Sequence, residues 1–175
     1  MAVKQAKGEP VKEERSVRVA LSADAFLPET YIVNEEQKLE IYKKIAAIES
    51  TDDYDDIKQE LEDRFGEIPA PAGNLLRIAL MRSVAARIGI VEISGVPGTI
   101  RFYMDPKARV HAENIPVLLR NYNKSLSFSV KGFSGRGLPE FMYQYKAVGV
   151  TVRDEEILLS SVEELLIAMA NKLVI

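Results

Sequence analysis

The 175-residue chain contains no cysteine, no tryptophan, a single histidine and no Gly-Lys pair. Without cysteine no disulfide framework, iron–sulfur cluster or thiolate zinc site can form, and a reducing intracellular setting is expected. His111 alone cannot supply a set of imidazole ligands, and no G-x-S-x-G elbow is present, so the usual metal centres and nucleophile pairs are missing. A nucleotide-driven motor needs a glycine-rich loop ending in Gly-Lys-Ser/Thr to cradle phosphates; the chain has none and is not expected to be an enzyme. No apolar run approaches the roughly 18 residues of a membrane span, and nothing resembles a signal peptide. The expectation is a soluble, cytoplasmic protein without metal or cofactor.

What is present is a strong concentration of acid. Residues 49–67 carry a net −7 while the whole chain carries only −3, so the remainder is net +4. Within this window Tyr54, Ile57, Leu61 and Phe65 recur at steps of three, four and four, the apolar stripe of a helix. Beside the stripe, Asp53, Asp56, Glu60, Asp63 and Arg64 fall on one ridge, and Gly66 stops the helix. Pro69 and Pro71 are tolerated only before or within a first helical turn, so a second helix begins near Pro71 and runs to Gly89. Its apolar residues surround the axis, which predicts a helix buried between other elements, with Leu80 in the core. Arg77, Arg82 and Arg87 are five apart, rotated about 140° from one another, and read as snorkelling or capping residues rather than one phosphate-binding stripe.

The remaining segments are shorter. Residues 1–15 are charged and poor in large apolar side chains, which predicts a flexible linker or tail; residues 16–175 form the domain. Val17, Val19 and Leu21 predict a strand. Asn34 with Gln37 predicts a helix start, with Leu39, Tyr42, Ile45 and Ala46 facing inward. Ile90 to Ile93 and Thr99 to Met104 predict a hairpin turning at GVPG. A short helix from Asn114 to Tyr122 and strands at 126–130 and 141–145 follow. Residues 149–159 are ambiguous between strand and loop, and Ser161 with Glu164 predicts the start of a terminal helix. The order gives an α+β fold, a small mixed sheet of a hairpin plus flanking strands packed against several helices in a single domain.

Three sets of residues invite a functional reading. Glu60 and Asp63, one turn apart, could form an acid–base pair or hold a divalent cation, and a solvated helix face with a Glu60–Arg64 pair is the plainer account. The loop KGFSGRG, with Lys131 and Arg136 among three glycines, could touch phosphate, which would make the chain a nucleic-acid-binding accessory module; a solvated hairpin loop is the plainer account. His111 reads as a capping or surface residue, and Phe141, Tyr143 and Tyr145 as strand packing.

The segments ADAFLPETYI, NEEQKLEIYKKIA, ELEDRFGEIP and NLLRIALMRSVAARIGI together resemble the C-terminal domain of the bacterial transcription-repair coupling factors (Mfd). The resemblance runs from about Val17 to Ile93, and the chain departs from the family pattern between Lys131 and Leu159. It implies that the chain is the last module of an ATP-dependent DNA translocase that displaces stalled RNA polymerase at DNA damage. It further implies a non-catalytic, autoinhibitory role: docking on the N-terminal UvrB-like module of the same polypeptide, masking recruitment of UvrA and restraining the motor. RNA polymerase, UvrA and DNA would be reached only through the parent protein. The family's docking charges lie in the ELxDRFG motif, which places Glu60, Asp63 and Arg64 in that role here, with Asp53 and Asp56 as an additional ridge.

Overall fold

In the computed structural model, which describes residues 16–149 and 151–175, alternating apolar and polar side chains build one five-stranded sheet. Its strands are β1 (Arg18–Leu21), β2 (Ile90–Val96), β3 (Thr99–Met104), β4 (Leu126–Ser129) and β5 (Glu140–Gln144), in the order β1-β2-β3-β5-β4. β1 runs parallel to β2 and every other neighbour is antiparallel. Directly paired residues share a face. Val19, Ile93, Phe102, Phe141 and Phe128 therefore form one apolar row, while Arg18, Glu92, Tyr103, Glu140 and Ser129 form a polar row on the opposite face. The tail expected over residues 1–15 lies outside the described residues.

The helices are α1 (Glu35–Ala46), α2 (Thr51–Phe65), α3 (Ala70–Ile88), α4 (Ile115–Asn121) and α5 (Val152–Leu173). α3 is central: beyond Ala70 only Arg82, Ala86 and Arg87 along it are exposed. Ile78, Met81, Ala85 and Ile88 join the apolar sheet face, Leu118 of α4 and Leu158, Leu159, Val162, Leu165 and Leu166 of α5 in one core. Ala72, Leu76 and Ala79 join Leu27, Ile32, Ile41, Ile45, Ile48 and Leu61 in a second. The result is a single α+β domain with two apolar clusters sharing one helix. Gly95 permits the close approach of α5 to the sheet, since a Cβ there would lie 3.2 Å from Leu158 Cδ1 and 3.0 Å from Leu21 Cδ2.

Four expectations are corrected. The inward face of α1 is Ile41 and Ile45, continued by Ile48, whereas Leu39 is 56% exposed and Ala46 is also exposed. Leu39 stands about 200° around the helix from Ile41, so both cannot face the same core. Leu80 is half-buried, at the rim of a cleft with Met81, Val84, Leu166 and Ile167. The terminal helix begins three turns before Ser161, at a capping box in which Thr151 Oγ1 accepts from Asp154 N at 3.2 Å and the Asp154 carboxylate accepts from Thr151 N. Leu158 and Leu159, both fully buried, reward that earlier start, and the carboxylate of Asp154 is itself buried. Arg77 is no snorkelling side chain: it forks across to α5, 2.6 Å from Glu163 and 2.7 Å from Glu156. Burial opposes its charge, and the hydrogen bonds to Glu163 and Glu156 outweigh burial and raise its pKa.

Candidate docking surface

The acidic helix α2 is specified at both ends by its own sequence. Ser50 caps it by accepting from Asp53 N at 3.1 Å, and Asp52 and Asp53 sit at the positive end of the dipole. Gly66, at φ +86°, ends it. The Tyr31 hydroxyl lies 3.2 Å from Leu61 O and 3.0 Å from Gly66 O, tying the segment before α1 to the end of α2. Leu61 is buried between α1 and α3, which turns the charged ridge away from the core.

The five candidate residues do not behave alike. Asp53 is committed to the helix start, where its carboxylate accepts from Glu49 N at 3.0 Å. Asp56 is exposed. Asp63 is exposed and accepts from the Gln59 amide at 3.0 Å, a neutral donor that leaves its charge uncancelled. Glu60 is different, with its side chain only 30% exposed. Lys44 of α1 lies 2.9 and 3.0 Å from its two oxygens, and Arg64 lies 2.7 Å from Oε2. Glu40 closes the cluster, 3.3 Å from Lys44 and 3.5 Å from Arg64.

Hydrogen bonds from Lys44 first and Arg64 second hold the Glu60 carboxyl below the usual range, and the same contacts raise the pKa of Lys44 and Arg64. The Arg64 guanidinium also lies over the Phe65 ring, 5.0 Å from its centroid, with Phe65 tilted against Tyr31. Tyr31, Val33, Asn34, Gln37, Arg64 and Phe65 line an open concavity beside the ridge. The structure thus brings Glu60 and Arg64 into contact, sets Asp63 beside them on the solvent side, and uses Asp53 elsewhere. Lys44 is the member that sequence reasoning missed. Its i, i+4 spacing from Glu40 was visible, but its contact with Glu60 is made only by the packing of α1 on α2.

Of the other candidates Lys131 is exposed, and the rest are engaged within the fold. The KGFSGRG loop is fastened to the polar face of the sheet: Arg136 pairs with Glu92 and stacks 4.3 Å above the Tyr103 ring. Beneath it Glu140, 1% exposed, takes Arg101 at 2.6 Å, Ser134 Oγ at 2.9 Å and Phe133 N at 3.1 Å. Gly132 is required where the loop doubles back, at φ +78° with Leu138 O only 2.5 Å from where a Cβ would be. An arginine so engaged is not held out for phosphate. The His111 backbone N–H donates to Leu173 O at 2.9 Å at the end of α5, and its ring meets Glu113. Phe141 is fully buried on the apolar face, with the Tyr143 and Tyr145 rings stacked beyond it. Among the described residues, no group of three or more His, Asp or Glu is placed to hold a metal ion, and no helix is long and apolar enough to cross a membrane.

These observations define a small α+β domain whose concentrated charge lies on the outward ridge of one rigidly capped helix. The chain belongs to the TRCF domain family, whose model matches residues 21–115, a stretch that includes α1, α2 and α3. It is similar to the transcription-repair-coupling factor of Staphylococcus aureus strain USA300, 40% identical over 116 residues, covering 65% of this chain and 10% of that protein. The Staphylococcus epidermidis protein of the same name is 36% identical over 111 residues, 61% of this chain and 9% of its own length. The chain thus spans about a tenth of these relatives. It also resembles the crystal structure of the C-terminal domain of a transcription-repair coupling factor, with a TM-score of 0.67 and 26% identity over 89% of this chain and 94% of that one.

Proposed function

We propose that this chain is the non-catalytic, autoinhibitory C-terminal domain of a transcription-repair coupling factor, and that it docks through the ridge of α2 on the N-terminal UvrB-like module of its parent polypeptide. In that position it masks the surface that recruits UvrA and restrains an ATP-driven DNA translocase that displaces stalled RNA polymerase at damage. One observation supports this reading above the others. Asp56, Asp63 and Arg64 are exposed along one ridge of α2, a helix that lies inside the family-matched stretch and is held in place at both ends.

Docking of this kind works by population shift: a few kcal/mol of differential contact keeps the closed state dominant until another partner offsets it. Exposed ion pairs are individually weak, but complementary charges desolvated together are sensitive to sign. Asp63 is the residue to reverse, because Glu60→Arg would place a third cation beside Lys44 and Arg64 and confuse docking with stability. The test is calorimetric titration of this chain with the UvrB-like module. Asp63→Lys should weaken association about tenfold or more, about 1.4 kcal/mol, with an unchanged circular-dichroism melt. Equal affinity for variant and wild type would remove α2 from the interface.

A further inference from the structure

We infer that Lys44 is an internal stand-in for the partner's cation, neutralising Glu60 while the ridge is undocked and competing with a basic partner surface for it. This rests on the docking function proposed above.

Glu60 already holds two cations, and its side chain is only 30% exposed to a third. Lys44 Nζ sits at 2.9 Å from Oε1 and 3.0 Å from Oε2, and Arg64 Nη1 at 2.7 Å from Oε2. With Glu40 the cluster holds two anions and two cations, so this quartet is neutral while Asp56 and Asp63 beside it stay charged. An approaching ammonium or guanidinium is drawn by Asp56 and Asp63, whose charges are not cancelled in this way, and gains Glu60 only as Lys44 gives it up. Lys44 has somewhere to go. Glu40, four residues before it on α1, is already 3.3 Å away, and the Lys44 side chain is 41% exposed and free to turn toward it.

The exchange replaces one ion pair by another of similar kind, so Glu60 adds geometric selectivity to docking while contributing little net affinity. That division suits a contact that must release. A purely structural role for Lys44 predicts the reverse. If Lys44 only held Glu60 and Arg64 in position, its loss would loosen the ridge and weaken docking.

The experiment is titration of this chain with the UvrB-like module at low and moderate salt, comparing wild type, Lys44→Met, Lys44→Gln, Lys44→Arg and Asp63→Lys, each checked for folding by circular dichroism. Lys44→Met and Lys44→Gln should bind about three- to tenfold tighter at low salt, with the gain shrinking as salt rises. Lys44→Arg, which keeps the charge, should stay within about twofold of wild type. Two neutral variants guard against a folding defect peculiar to one of them. If Asp63→Lys weakens binding but neither neutral variant tightens it, the competition is overturned and the docking surface stands. If Asp63→Lys also leaves binding unchanged, the docking reading fails and the inference falls with it.

Discussion

Glu60 and Asp63 stand one turn apart on the same helix, yet one is neutralised by two cations from its own domain and the other keeps its charge. The spacing that put them on one ridge was legible in the sequence; the difference between them was not, because it depends on Lys44 arriving from α1. Glu140 makes the same point more sharply. In sequence it is one acid before a run of alternating aromatics, and in the fold it is the buried post on which the KGFSGRG loop is tied. Burial pushes its carboxyl pKa up, but hydrogen bonds from Arg101, Phe133 N–H and Ser134 outweigh burial and set it below the ordinary 4.5. The contribution of Glu140 to stability is therefore complete above about pH 4.5 and is lost as the pH falls through the lower folded value. Glu140→Gln should cost about 1.5–3 kcal/mol at pH 7, the range for hydrogen bonds to a charged group. The melting temperature of the variant should also fall less than that of wild type between pH 7 and pH 3. Parallel melting curves over that range would show that Glu140 does not hold the loop through its charge.

Element boundaries were readable where a single cap or a proline marks them. Asn34 does accept from Gln37 N at 2.9 Å, Gly66 and Gly89 do end α2 and α3 with positive φ, and Pro69 immediately precedes α3. α5 was misread because the stretch contains three Ser/Thr-x-x-acid patterns, at Thr151, Ser160 and Ser161, and local chemistry accepts any of them. Burial of Leu158 and Leu159 against the sheet decides for the first. The same limit applies around α3. An all-round apolar helix announces that it is buried, but not which positions meet the open cleft toward α5. Leu76 is 1% exposed and packs in the second core, whereas Leu80 stands at the rim of that cleft. Leu76→Ala should therefore cost about 2–5 kcal/mol by chemical denaturation, and Leu80→Ala distinctly less, since a rim residue leaves no enclosed cavity. Equal losses would place Leu80 in the core after all.

At the scale of the whole molecule, the ridge belongs to a layer with its own core. α1 and α2 pack on one side of α3 through Ile41, Ile45, Leu61 and Leu76, while the sheet and α5 occupy the rest. The α+β class was legible because the helices come in a run of three and the strands in a hairpin rather than in strict alternation, and helix α2 because its acid is so concentrated. The partition into two clusters was not, since it depends on which turns of α3 meet which neighbour. The proposed place of the partner is the solvent side of α2. Hydrogen–deuterium exchange of this chain with and without saturating UvrB-like module tests it directly. Slowed exchange should concentrate in residues 56–66 and the facing end of α1, with the strands unchanged. Protection confined to the polar sheet face and the 131–139 loop, with α2 exchanging as it does alone, would contradict it.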